Sequence, residues 1–124
     1  MTKSAAIHAF FNGFLPAYPS ASVPTSGERM PAFPYLTYGL LTDSDFSVLT
    51  LTASLWYRTE SWLEINAKTE EISTSIGRGK VLECDDGGLI VRKGSPFAQS
   101  MGDESDDMIK RKIINFEFTF VTMN

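Results

Sequence analysis

The chain contains few residues whose chemistry could support catalysis. It has one histidine, His8, and one cysteine, Cys84. A general base or a nucleophile needs a positioned partner, and no serine or cysteine motif in the sequence provides one for His8. Cys84 is followed by two aspartates, and neighbouring carboxylates disfavour the reactive thiolate. We therefore interpret His8 as a surface or helix-packing residue and Cys84 as a small core residue.

Two motifs look like ligand-binding loops but lack the features that such loops need. Residues 76–80 combine two glycines with two basic side chains, yet they follow a predicted helix and enter a predicted strand, the reverse of a phosphate loop. Asp103, Ser105 and Asp107 have the spacing of a calcium loop, but its glycine and glutamate positions hold methionine and isoleucine. The sequence therefore predicts no catalytic, cofactor-binding or metal-binding residue, and we expect the protein not to be an enzyme.

Length, composition and charge restrict the class of protein further. A chain of 124 residues with 43% hydrophobic and 21% charged residues has the size and composition of one soluble globular domain. Its net charge of −4 and pI of about 4.9 argue against a protein that wraps nucleic acid with its outer surface. The single cysteine, and the lack of an apolar run suited to a signal or a membrane helix, predict an intracellular protein.

Hydrophobic spacing predicts two helices, at residues 2–14 and at about residues 61–76. In each segment apolar residues recur every three or four positions, which places them on one face of a helix. Gly77 follows the second segment, where a helix end often needs a residue of positive φ. The two helix faces consist of Ile7, Phe10, Phe11 and Phe14 in the first helix and of Trp62, Ile65, Thr69, Ile72 and Ile76 in the second.

Alternating and strand-favouring stretches predict about five strands, at residues 35–41, 47–58, 80–84, 89–93 and 110–122. Turn-forming residues join the first strand to the second and the third to the fourth, so we expect two hairpins. The predicted fold is α+β, with about two helices packed on one face of a mainly antiparallel sheet. We expect a core that contains Phe10, Phe14, Leu49, Leu51, Leu55, Ile65, Ile72, Ile76, Phe116, Phe118 and Phe120.

Residues 15–34 stand apart from the rest of the sequence. They hold five of the six prolines and show no hydrophobic periodicity. A connection of this length is unusual in a small domain, so we predict an assembly arm or a poorly ordered loop that makes few contacts with its own domain. Proline suits an arm that laps over a neighbouring subunit, because it lowers the entropy cost of ordering an extended segment.

Three apolar residues fall where a self-contained domain has little use for them. Trp56 alternates onto the sheet face that the predicted helices leave uncovered. Phe97 and Met101 lie in residues 96–107, which we predict to form a loop. These two side chains either tuck under the sheet beside the core or act as apolar anchors of a contact with another molecule.

Several short motifs follow one another in a specific order along almost the whole chain. The strongest is the sequence GSPFAQSM at residues 94–101, which precedes an acidic and then basic run at residues 103–111. In the order and spacing of these motifs, the sequence resembles the tail-terminator (tail completion or head–tail joining) family of long-tailed bacteriophages and prophages, in the branch common in Gram-positive hosts. It departs from the family pattern at Lys93, where arginine is frequent, and at Lys80, where a second glycine is expected. The other motifs are at residues 16–19, 23–24, 33–38, 56–58, 61–62, 71–72 and 76–77.

This resemblance implies a homohexameric ring that caps the finished tail tube, ends tube polymerisation and forms the surface on which the filled head docks. The implied partners are further copies of the chain, the major tail-tube protein and the head-completion or stopper protein of the neck. DNA would only pass through the ring, and the resemblance implies no cofactor, no catalytic residue and no membrane contact. The protein would lie at the tail–head interface of the virion and, before assembly, in the host cytoplasm.

An acidic lumen suits a ring through which DNA slides, because negative charge in the lumen repels the DNA phosphates. Two alternatives to a tail terminator stay open: another ring component of a phage neck or tail tube, and a non-viral dimeric α+β binding module. Candidate lumen or rim residues are Asp43, Asp45, Asp103, Glu104, Asp106 and Asp107, and candidate subunit or tube contacts are Phe97, Met101 and Trp56.

Overall fold

The computed structural model describes residues 1–22, 31–39, 48–85, 87–102 and 106–122. These residues form two α-helices and one sheet of six strands. The helices are α1 (Lys3–Asn12) and α2 (Leu63–Ile76), and the strands are β1 (Ala17–Pro19), β2 (Tyr35–Tyr38), β3 (Val48–Arg58), β4 (Lys80–Cys84), β5 (Gly87–Gly102) and β6 (Ile109–Thr122).

Local sequence signals begin and end both helices. The Thr2 hydroxyl accepts a hydrogen bond from the Ala5 amide at 3.1 Å and so caps α1. Before α2, the Ser61 hydroxyl accepts a bond from the Leu63 amide at 3.0 Å. Gly77 ends α2 with a φ of 56°, a conformation that favours glycine. Both predicted helices are confirmed.

The sheet has the strand order β1-β2-β3-β6-β5-β4. Among these neighbours β1 and β2 run parallel, and every other pair is antiparallel. The predicted pairings of β2 with β3 and of β4 with β5 are confirmed. The α+β class is also confirmed, although the sheet has six strands rather than about five.

The additional strand is β1, which lies in the proline-rich segment. Ala17 pairs with Leu36 of β2, and both Leu15 and Ala17 are buried in the core. The prediction that this segment makes few contacts with its own domain is therefore wrong for its first part. Residues 23–30 lie outside the described ranges.

Strand β5 is longer than its predicted range, 89–93, because it continues through Gly102. Its pairing with β6 shifts register between Lys93 and Ala98 and then resumes. Residues 96–102 thus belong to a strand, and the loop predicted at residues 96–107 is wrong over that part.

A close contact between β5 and β6 explains where the register shifts. A Cβ atom added to Gly94 would lie 2.8 Å from the Cβ of Asn115, so the strands approach each other where β5 has no side chain. The Asn115 side-chain amide donates a hydrogen bond to the Pro96 carbonyl at 2.9 Å. This bond replaces part of the pairing that the bulge interrupts.

One face of the sheet and both helices enclose the core. The Phe11 ring lies at its centre, 5.2 Å from the ring of Phe116 and 4.9 Å from that of Tyr38. The predicted core residues are buried, except that Phe14 and Phe120 are half-buried against the same cluster. The helices therefore leave the other face of the sheet uncovered.

His8 and Cys84 both have packing positions. His8 Nδ1 lies 2.8 Å from the Tyr38 hydroxyl, a contact that joins α1 to β2. Cys84 is half-buried against the core at the end of β4. The interpretation of both residues as structural is consistent with these contacts.

Candidate interaction surface

A row of four large side chains crosses the uncovered face of the sheet. In the strand register Tyr35 lies opposite Trp56, Trp56 opposite Arg111, and Arg111 opposite Met101. Alternation along each strand places all four on the face opposite the core. We call these four residues the outer row.

Trp56 is held by neighbours on both adjacent strands. Its ring stacks on that of Tyr35, with centroids 6.1 Å apart and planes inclined by 14°. Its Nε1 donates a hydrogen bond to the Thr37 hydroxyl at 2.9 Å. Trp56 thus lies on the uncovered face, and these contacts leave its side chain half-buried. The indole N–H of Trp56 thus already has its hydrogen bond within the sheet, and the part of the side chain that stays exposed is apolar.

Arg111, on strand β6, covers the same indole from the side opposite Tyr35. Its guanidinium carbon lies 4.7 Å from the ring centroid of Trp56, and its Nε donates to the Ser54 hydroxyl at 3.1 Å. Within the described parts of the chain, no carboxylate lies within ion-pair distance of Arg111. The terminal nitrogens of this oriented guanidinium can thus bind a carboxylate of another molecule in a bidentate manner.

Aromatic residues from the proline-rich segment extend the surface beyond Tyr35. The rings of Tyr18 and Phe33 lie 6.3 and 5.2 Å from that of Tyr35. Tyr35 is buried beneath them, and this burial raises the pKa of its hydroxyl. Tyr18 itself remains 37% exposed. The sequence does not predict this contribution, because residues 15–34 are rich in proline and show no hydrophobic periodicity.

The structure places Phe97 and Met101, for which the sequence left two alternatives open, on opposite faces of the sheet. Met101 is 42% exposed at the end of the outer row. Phe97 lies on the opposite face, half-buried, with its ring 6.2 Å from that of Phe116 and at 83° to it. Phe97 therefore extends the core, whereas Met101 shares a surface with Trp56.

Of the predicted acidic lumen residues, only two lie within the described ranges. Asp106 forms an ion pair with Arg58 at the end of β3, and it accepts a hydrogen bond from the Met108 amide at 2.9 Å. Asp107 is exposed, and its carbonyl accepts a hydrogen bond from Lys110. Asp106 thus ties the loop before β6 to the sheet. Asp43, Asp45, Asp103 and Glu104 lie outside the described ranges.

Nowhere in the described ranges do three His, Cys, Asp or Glu side chains form a group that could hold a metal ion. No helix of the same ranges is long and apolar enough to cross a membrane.

No protein-family model matches this chain, and no curated protein matches it. The outer row combines an indole, an oriented guanidinium and an exposed thioether on the uncovered face of the sheet. Trp, Tyr and Arg are the residues that most often dominate the binding energy of protein interfaces.

Proposed function

We propose that this protein is a structural virion assembly protein that caps a phage tail tube as a ring, ends tube polymerisation and forms the head-docking surface. The sequence resemblance to tail terminators supports this function, and so does an α+β subunit of the kind that the resemblance implies. The observation that carries the argument is the outer row, a preorganised surface of interface-type residues on a sheet face that the subunit itself leaves uncovered.

A closed ring needs head-to-tail contacts, in which each copy presents two different surfaces. In this proposal the outer row is one of them. Its apolar part, Trp56 and Met101, excludes water from the contact, while Arg111 receives a carboxylate of the neighbouring subunit or of the tube protein. The chain is acidic overall, so such carboxylates are abundant on a second copy.

The proposed partners are further copies of the chain, the major tail-tube protein and the head-completion or stopper protein of the neck. DNA passes through the ring without being held. For that passage the carboxylates of Asp43, Asp45, Asp103, Glu104 and Asp107 are proposed lumen residues, since negative charge repels DNA phosphates. Asp106 is a weaker candidate because its carboxylate is paired with Arg58.

Electron microscopy and complementation together test this function. We expect the purified protein, alone or with tail tubes, to form six-fold rings. We also expect a prophage that lacks the gene to make overlong tails without attached heads, and the wild-type chain supplied in trans to restore virions. Two-fold particles with normal tails in the deletion strain would contradict the proposal and favour a dimeric binding module. Rings with normal tail length but no virions would favour another neck component.

A double variant tests the assignment of the outer row to a contact. Arg111→Gln with Met101→Ala removes the guanidinium and the thioether but no buried core side chain. We expect this variant to stay folded and to lose ring formation and complementation. Arg92→Gln, an exposed arginine on the same sheet face outside the row, is the control and should behave as wild type. Normal virion yield from the double variant would show that the row is not the contact.

A further inference from the structure

The outer side of helix α2 carries a stripe of exposed residues. The helix buries Ile65, Thr69, Ile72 and Ile76 in the core. Residues three and four positions apart share one side of a helix, so a second set with that spacing forms the opposite side. This set, which we call the α2 stripe, consists of Leu63, Ala67, Glu70 and Thr74, all of them exposed.

The α2 stripe offers one apolar side chain and one carboxylate to another molecule. Leu63 is 76% exposed, the largest exposed fraction of any large hydrophobic residue in the described ranges. Among the described residues, no ammonium or guanidinium group lies within ion-pair distance of the Glu70 carboxylate, whereas Glu71 pairs with Lys68 at 3.0 Å. Such a pair of groups suits an interface in which apolar contact provides affinity and opposite charges provide orientation.

The outer row carries the complementary groups at a matching distance. Leu63 and Glu70 are seven residues apart, which is about 10 Å along a helix. Met101 and Trp56 are separated by strand β6, which is about 10 Å across a sheet, and the Arg111 guanidinium lies over the Trp56 ring. A helix that lies along the row can thus place Leu63 on Met101. In the same position its Glu70 carboxylate meets the Arg111 guanidinium.

The charges fix the direction of the helix along the row. In the reverse direction Leu63 would lie on the guanidinium and Glu70 on the Met101 thioether, so the charged groups would lose water without a suitable partner. Within the described ranges, the residues two positions away from the row on β3, β5 and β6 include no carboxylate that would repel Glu70. These flanking residues are Ser54, Arg58, Ile109, Ile113 and Gln99.

We propose that the α2 stripe of one copy of this chain packs along the outer row of the next copy. Leu63 of the first copy then contacts Met101 of the second. Arg111 of the second copy binds the Glu70 carboxylate of the first in a bidentate manner. The contact is heterologous, as a closed ring requires. This inference rests on the proposed ring and identifies the second surface that each subunit contributes to it.

Cysteine cross-linking tests the pairing of the two surfaces. The variant combines Leu63→Cys with Met101→Cys in a Cys84→Ser background, and both introduced cysteines occupy exposed positions. A short bismaleimide, added to the protein alone and with tail tubes, should link this variant into a ladder of covalent oligomers up to the hexamer. Each single-cysteine variant should stay monomeric, because a head-to-tail contact never brings two copies of the same residue together. No ladder from the double variant, or dimers from a single variant, would overturn the proposal.

An exchange of charges tests the ion pair. Arg111→Glu and Glu70→Arg should each weaken self-association, measured by native mass spectrometry over a dilution series, by at least about tenfold. The two substitutions together should restore most of it. The matched control combines Arg111→Glu with Glu83→Arg, an exposed glutamate outside the α2 stripe, and should stay impaired although its net charge is the same. Equal recovery by the two combinations, or recovery by neither, would overturn the proposed ion pair.

The outcomes separate this contact from the proposed function. Six-fold rings in which the double-cysteine variant gives no ladder would overturn the contact and leave the proposed function supported. A ladder from a chain whose deletion leaves tail length and virion yield normal would contradict the proposed function and support the contact.

Discussion

Trp56 and Arg111 lie directly opposite each other on strands β3 and β6, with the guanidinium carbon 4.7 Å from the centre of the indole. Each side chain also has a hydrogen bond to a hydroxyl on a different neighbour, Thr37 for Trp56 and Ser54 for Arg111. The pair is therefore oriented before any partner binds. Preorganisation of this kind lowers the entropy cost of association.

The Trp56–Arg111 contact should show a measurable coupling energy. In a double-mutant cycle with Trp56→Phe and Arg111→Met, we expect a coupling of about 1 kcal/mol in the free energy of unfolding, as for a partly desolvated cation–π pair. Urea unfolding followed by circular dichroism measures it. The same cycle with Arg92→Met in place of Arg111→Met is the control, because Arg92 lies opposite Glu117 on β6. Equal coupling in the two cycles would contradict a specific contact.

Gly94→Ala should destabilise the fold. The added Cβ would lie 2.8 Å from the Asn115 Cβ and 3.0 Å from its backbone carbonyl, so the strands must separate. We expect a loss of about 1–3 kcal/mol in the free energy of unfolding. Gly102→Ala is the matched control, since no atom of the described residues beyond its chain neighbours lies within 4 Å of its added Cβ. Similar losses of stability at the two glycines would show that the intrinsic strand propensities of glycine and alanine, rather than the close approach of the strands, cause the loss.

Phe97→Ala should lower the stability of the subunit, whereas Met101→Ala should impair assembly without lowering stability. Phe97 packs on Phe116, so its loss should cost about 1–3 kcal/mol, less than a fully buried phenylalanine. Met101 is exposed, so its loss should change stability by less than about 0.5 kcal/mol. Thermal unfolding measures the difference in stability between the two variants. In complementation, Met101→Ala should lower virion yield even though the subunit is folded, and a normal yield would argue against its contact role.

Alkaline pH should destabilise the protein partly through Tyr57. Burial, and then the nearby carboxylates of Glu64 and Glu71, raise the pKa of Tyr57 above its ordinary value of 10.0. The folded state therefore keeps this proton at a pH where the unfolded chain has lost it. The contribution is fully present below pH 10 and decreases as the pH rises through the folded pKa.

The variant Tyr57→Phe isolates this effect. Its urea midpoint should fall less steeply than that of the wild type between about pH 9 and pH 11, because phenylalanine has no proton to lose. Tyr18→Phe is the control on an exposed tyrosine. Parallel pH profiles for wild type and Tyr57→Phe would show that other groups cause the alkaline loss.

Local spacing along the chain is enough to predict both helices and the inward faces of the long strands. In β3 and β6 the side chains alternate strictly, so the positions of Leu51, Leu55, Phe116 and Phe118 in the core follow from the period of two. The helix faces follow in the same way from a period near 3.6. These features depend on neighbours within one element, and local spacing is sufficient to predict them.

Which of these elements lie side by side depends instead on contacts between residues that are far apart in the chain. Strand β1 is three residues long and ends in Pro19, so it exists because β2 offers it a partner. The side chains of Phe97 and Met101 face opposite ways because β5 bulges where Gly94 meets Asn115, on a strand that comes later in the chain. The outer row likewise requires β6 to insert between β3 and β5. Such contacts join residues that are distant in sequence, and no local pattern encodes which strands become neighbours.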